Sequence, residues 1–254
     1  MTTSTADTSK LYQKVAASVA SGITAGRYEP GARLPSERDL AEEYGVSRPT
    51  VREAMIALEI RGLVEARPGS GIYVTNAPTE AGPGPELDIG AFELTEARRL
   101  FEGEACALAA SIISDAELAE LEDILGQMIN ENAYAASLGE QADRRFHVTI
   151  ARATRNVAIV MVVENLWDLR YRSPLCAAML GRARQVGVRP LIDDHREILT
   201  ALQRRDPEAA RKAMRAHLGR VVEDLLTATE MDAMERTRSD VEARRREVAR
   251  RSAI

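Results

Sequence analysis

Leu34–Val74, LPSERDLAEEYGVSRPTVREAMIALEIRGLVEARPGSGIYV, sets a short helix, a turn, a longer helix and a β-hairpin in the order of a winged helix-turn-helix. Ser36 can cap the first helix while Asp39, three residues on, reaches back toward it in a capping-box spacing. Gly45 supplies the left-handed backbone that a tight turn between two helices needs. Ser47 caps the next helix, and Pro49 sits in its first turn, where a missing N–H costs nothing. Val51, Met55 and Leu58 form that helix's apolar stripe, which leaves Arg48, Thr50 and Arg52 on the exposed N-terminal turns.

After Gly62, Leu63–Ala66 and Ile72–Val74 read as two short strands joined by Arg67-Pro68-Gly69-Ser70-Gly71. That turn is a wing whose glycines let the backbone approach a sugar-phosphate wall, with Arg67 adding positive charge. A guanidinium fork matches guanine O6 and N7, while hydroxyls and helix N-terminal amides suit phosphate oxygens. An isolated pair of arginines would read as a solvated helix face. In this order of elements the pair reads instead as a surface for duplex DNA.

The rest of the chain is compatible with that reading. At 254 residues two domains are expected. Aromatics make up only 4% of residues and Ala, Leu, Arg and Glu abound, which points to a mostly helical fold with little sheet beyond the wing. The net charge of −5 does not advertise a polyanion binder, and the nine basic and nine acidic side chains between Met1 and Asn76 cancel. Local placement decides, because counterion release depends on the cations that touch phosphate. Cys106 and Cys176 lack metal or redox spacing and read as reduced apolar residues. No apolar run approaches a membrane span and Met1–Thr8 lacks a signal pattern, so a cytoplasmic protein without membrane attachment is expected.

The expected organisation is a DNA-binding domain at 8–76, a linker at 77–88, an all-helical domain at 89–230 and a charged tail at 231–254. Ala77–Pro85, APTEAGPGP, marks the linker. Beyond it, breaks at Ser114-Asp115, near Gly139, at Arg155-Asn156, around Gly181–Gly187 and at Asp206-Pro207 leave about six helices. The first, over 94–113, is expected to bury Leu94, Ala97, Phe101, Ala105, Leu108 and Ile112, with Arg98 inside that stripe and Glu102 one turn later at its border. Two readings of Arg98 stand open: an internal ion pair with Glu102, or a clamp for both oxygens of a carboxylate ligand.

The chain has only three histidines, and each falls on the apolar side of its own helix. His147 follows Asp143 at i+4 beside Phe146 and Ile150. His195 lies with Ile192, Ile198 and Leu199, and His217 with Met214 and Val221. A lone inward histidine is usually a hydrogen-bonded core residue. Three of three, with a carboxylate one turn from the first, form an Asp plus three-His set for a divalent transition metal with positions left open for water or an acidic ligand. Trp167 and Arg170 fall on the inward side of the 157–172 helix, either as ligand contacts or as a core Trp and a snorkelling Arg.

These stretches also carry a resemblance. Leu11–Val74 resembles the N-terminal domain of the GntR family of bacterial transcription regulators, almost end to end over the quoted signature. By that resemblance Arg38 meets phosphate, Arg48 and Arg52 reach guanines, and Ser47, Thr50 and Gly69 fix the docking. Residues 93–222, through EARRLFEGEACALAA, DRRFHVTIARATRN and DDHREILTALQRRDPEAARKAMRAHL, resemble the all-helical FCD effector domain of the FadR-type branch. That likeness implies that Asp143, His147, His195 and His217 are metal ligands and that Arg98 lines the effector pocket. GSGIYV and NLWDLRYRSPL look most like the hexuronate-responsive regulators.

The expected molecule is a homodimeric, ligand-controlled repressor on a palindromic operator, with guanines near the half-site centre and, by the resemblance, a TGGT-type half-site. Its expected effector is a small carboxylate, a sugar acid foremost, and its expected metal is zinc, with nickel or manganese as alternatives. Two other readings fit the same residues. One is a metalloregulator in which the ion is the signal. The other is a metal-dependent hydrolase, for which Glu102 is the one candidate base that can be placed near the site.

Overall fold

The computed structural model describes residues 11–67, 70–75, 89–134, 136–189 and 191–252, without side chains at 131–139 and from 230 onward. The chain falls into two compact units, Met1–Leu87 with Glu230–Ile254, and Asp88–Thr229.

In the first unit α1 (Leu11–Thr24) packs on α3 (Arg48–Ile60), with α2 (Glu37–Tyr44) alongside α3. Tyr12, Val15 and Val19 from α1 meet Leu40 from α2 and Val51, Met55 and Leu58 from α3 in a buried core. The helix ends form as their sequences dictate. The Ser36 hydroxyl accepts from the Asp39 amide at 3.2 Å, and the Asp39 carboxylate accepts from the Ser36 amide at 3.2 Å, closing the capping box. Gly45 turns the chain at φ 63°, and Ser47 caps α3 through the Thr50 amide at 3.3 Å.

The wing is an antiparallel pair, β1 (Val64–Arg67) and β2 (Gly71–Val74), in the register Val64↔Val74 and Arg67↔Gly71. The free side of β2 is occupied. Leu34 N–H donates to Ile72 O at 2.8 Å and Val74 N–H to Ala32 O at 2.9 Å, so a segment before α2 covers an edge that would otherwise be open. Pro68, Gly69 and the expected linker at 77–88 lie outside the described residues.

The second unit holds α4 (Ala91–Ile112), α5 (Asp115–Tyr134), α6 (Ala136–Ala153), α7 (Val157–Arg172), α8 (Pro174–Gln185) and α9 (Ile192–Gln203), together with α10 (Pro207–Ser252), which begins in it. Cys106, Ala109, Leu121, Met128, Phe146, Ile150, Ile198, Leu202, Met214 and Leu218 make its main core. There is one helix more than expected, because Ser173 stops α7 and caps α8 through the Cys176 amide at 3.3 Å, with Pro174 in the first turn. The break expected near Gly139 comes earlier, since α6 already contains that residue. The charged tail continues α10 as helix to Ser252, while the side chains of Arg244, Arg245 and Arg246 lie outside the description.

The buried face of α4 corrects the expected stripe. Phe101, Leu108 and Ile112 are about half exposed, at 48%, 54% and 49%. The inward line runs instead through Leu94, Arg98, Glu102, Ala105, Cys106 and Ala109. Small residues let neighbouring backbones approach, and Arg98 and Glu102 are tolerated inside because they neutralise each other. Leu94, Arg98 and Ala105 are buried as expected, and it is the bulkier Phe101, Leu108 and Ile112 that lie off that line.

The turn at Gly45 gives a test free of packing effects, because no atom lies within 4 Å of where a Cβ would stand. Gly45→Ala should therefore lose about 1–2 kcal/mol through left-handed backbone strain alone. Urea unfolding followed by circular dichroism should show this loss, with Gly45→Asn retaining more stability.

Candidate functional site

The three histidines and Asp143 come together. α6 supplies Asp143 and His147 one turn apart, α9 supplies His195 and α10 supplies His217, and one ligand atom from each lies within 4.8 Å of the others. All four residues are buried, and the imidazole centroids stand 4.5–5.6 Å apart. His195 Nε2 is 3.0 Å and His147 Nε2 3.3 Å from the same Asp143 Oδ1.

Each ring's other nitrogen is already engaged. His147 Nδ1 bonds Glu102 from α4. His195 Nδ1 donates to the Leu191 carbonyl oxygen at 2.7 Å, and His217 Nδ1 lies 3.3 Å from Asp194 Oδ2, which also accepts from Arg220 Nε at 2.7 Å. Such outer partners fix the tautomer and orientation of metal-ligating imidazoles. His147 Nε2 is buried with no hydrogen-bond partner of adequate geometry. Burial, helped by the neighbouring histidines, pushes the His217 ring down to about 4, so it stands neutral with a lone pair to give at neutral pH. Burial alone would raise the Asp143 carboxyl, but the hydrogen bond from His195 and the closeness of the His147 ring hold it well below the usual range. An anionic oxygen donor, imidazole nitrogens and an orphaned donor atom among them fit a divalent transition metal.

Glu102 joins this cluster to Arg98. The Arg98 Nε–H donates to Glu102 Oε1 at 2.6 Å, both side chains being 3% exposed, and the other carboxylate oxygen faces His147. Burial opposes ionisation of Glu102, yet Arg98 and His147 overcome it and hold the carboxyl at about 2. The ion-pair reading of Arg98 is therefore realised, and Glu102, saturated by two partners, has no basicity to offer a hydrolytic reaction. Arg98 also lines a cavity that Asp143 and His217 share with Glu140, Arg170 and Arg184. Spacing along single helices missed the roles of Asp194 and Glu140, because each meets its partner across helices, and that of Leu191, because its backbone carbonyl rather than its side chain is the partner of His195. The acidic pair Asp193-Asp194 beside His195 was the available signal for the first.

In the first unit Arg48 is exposed and has no ion-pair partner among the described residues, and the Arg38 side chain is 81% exposed. The Thr50 hydroxyl sits 2.8 Å from that of Ser47 at the α3 N-terminus. Arg52 departs from expectation. It is 8% exposed and its guanidinium is held by Glu37 of α2, with Nε donating at 2.7 Å. A residue one turn past Arg48 on α3 faces α2 rather than solvent, so Arg52 fixes the two helices together as it stands. Arg67 is likewise engaged, donating to Glu65 at 2.7 Å and lying 4.2 Å over the Tyr73 ring.

Comparison with known proteins gives consistent findings. Residues 11–74 match the family described as bacterial regulatory proteins, gntR family, and residues 93–220 match the FCD domain. The chain is 35% identical to the Uxu operon regulator of Haemophilus influenzae over 88% of this chain and 85% of that protein. It is 38% identical to the Exu regulon transcriptional regulator of Escherichia coli over 82% of each. Among solved structures, Streptococcus agalactiae GntR is 27% identical, covering 84% of this chain and 99% of that one with a TM-score of 0.45.

Replacing Glu102 tests the buried network. Glu102→Ala strands Arg98 and leaves His147 without its outer partner, and should cost about 3–5 kcal/mol, because breaking a buried pair leaves an uncompensated charge. Chemical denaturation of the two proteins side by side measures it.

Proposed function

The chain belongs to the gntR family of bacterial regulatory proteins and carries an FCD domain, and from that premise we propose that it is a metal-assisted sensor of a small carboxylate that controls transcription. It is a DNA-binding transcription regulator, as its relatives are, and members of this family respond to small-molecule effectors. Among the described residues no helix is long and apolar enough to cross a membrane. The finer reading is a cytoplasmic homodimeric repressor with a head at 8–76, a linker at 77–88 and an effector domain at 89–230, reading a palindromic operator.

The observation that carries this reading is one cavity lined by Asp143 and His217 of the histidine cluster and by Arg98. Asp143, His147, His195 and His217 would hold a divalent transition metal, zinc foremost with nickel or manganese as alternatives. When bound, such an ion supplies a Lewis-acidic position that a carboxylate oxygen can occupy. Arg98 offers guanidinium N–H groups to the same carboxylate, while Glu102 holds that guanidinium in place. An arginine on the cavity favours an organic anion over the ion itself as the signal. The printed names of the two relatives, regulators of the Uxu operon and the Exu regulon, support a sugar acid as its class.

On DNA, Arg48 is the free fork for guanine and Arg38 the phosphate contact, with Ser47, Thr50 and Gly69 fixing the docking of α3 and the wing. Arg52 reaches a base only by leaving Glu37, so its first task is to set the pitch of α3 against α2. The effector acts by its differential affinity for two arrangements of the protein, about 1–3 kcal/mol for couplings of this kind.

Two outcomes test this reading. Arg48→Ala should lose about 1–3 kcal/mol of specific operator affinity, mostly at guanine positions, in an anisotropy titration at fixed salt. In the same assay a sugar acid should shift operator affinity of the wild-type protein, with the shift lost in His147→Ala. Indifference of operator affinity to every small acid tried would contradict it.

A further inference from the structure

The cavity has a second polar wall apart from the histidines. Glu140 of α6 accepts from Arg184 of α8 at 2.7 Å and from the Tyr171 hydroxyl of α7 at 3.2 Å, and its Oε1 stands 3.7 Å from Arg170 Nη2. Arg170 is 9% exposed, its guanidinium carbon lies 4.6 Å over the Trp167 ring, and its Nε–H is buried without a hydrogen-bond partner. The Arg98 guanidinium lies over the same ring at 4.0 Å, so one indole steadies a cation at the carboxylate end of the cavity and another beside Glu140.

A buried donor left unmatched on a rigid stack is costly in an apo cavity and useful only against an acceptor that arrives with a ligand. The acceptor's character follows from its surroundings. A second carboxylate would have to lie against the Glu140 carboxylate, whereas a hydroxyl both accepts from Arg170 and donates to Glu140. Leu180, Val221 and Leu225 line the same cavity and suit the C–H faces of a carbon chain.

We infer that Arg170 and Glu140 form a subsite that reads the hydroxyls beyond the α position and selects a polyhydroxylated acid over a short α-hydroxy acid. This rests on the carboxylate reading proposed above and adds its specificity determinant. Arg170 and Glu140 contact the hydroxyl-bearing end of the ligand, Arg184 holds Glu140 in place, and Arg98 serves the carboxylate common to both kinds of acid.

Calorimetric titration of the full-length, metal-loaded protein with glucuronate and with glycolate tests it. Wild-type protein should bind both, glucuronate more tightly. Arg170→Lys, which keeps the charge but removes the Nε–H, should weaken glucuronate roughly tenfold to a hundredfold and leave glycolate within about twofold. Glu140→Gln provides the same comparison without disturbing the stack on Trp167. Equal loss for both acids, no loss for either, or wild-type binding of glycolate without glucuronate overturns the subsite and leaves the carboxylate reading standing. Wild-type binding of neither acid overturns the carboxylate reading and the subsite with it.

Discussion

The structure depends on a carboxylate that cannot be left without cations. Glu102 sits in the interior of the helical unit with one oxygen on Arg98 and the other on His147. Ionised there, it would be prohibitively unfavourable alone, and so would the Arg98 guanidinium without it. The buried Arg98–Glu102 pair of α4 and the imidazole of α6 that bonds it are thus tolerable only as a set. That requirement goes with an α4 on which Phe101, Leu108 and Ile112 face out, and with a His147 Nε2 that faces Asp143. The same pairing holds Arg98 where it lines the cavity.

From this constraint the rest of the site follows by the same logic on other helices. Asp194 and the Leu191 carbonyl do for His217 and His195 what Glu102 does for His147: they occupy Nδ1, fix the ring and leave the other nitrogen for the centre. Glu140 gathers cations from α7 and α8 at the other wall of the cavity. A ligand entering between two such walls meets groups already oriented, so little of its binding energy goes into ordering side chains.

The winged head was legible because its signals are local. Ser36 with Asp39, Gly45, and Ser47 with Pro49 each fix a helix end within a few residues, and the structure places each end accordingly. The histidine cluster was legible for a different reason: with only three histidines, all inward, few arrangements remain. What escaped were contacts between helices. Arg52 read as exposed because helical periodicity says nothing of α2 lying across it, and Phe101, Leu108 and Ile112 read as buried because bulk was weighed without the paired charges opposite. Ser173-Pro174 was a local signal for α8 that helical periodicity overran.

The central claim is that three imidazoles and Asp143 form a metal centre at the heart of the effector unit. Elemental analysis of purified, dialysed protein measures it most directly. The account predicts one divalent transition-metal ion per chain, lost in Asp143→Ala while the far-ultraviolet circular dichroism stays helical. A wild-type protein that remains metal-free after incubation with zinc, nickel and manganese, or an Asp143→Ala variant that keeps its full complement of metal, would contradict it.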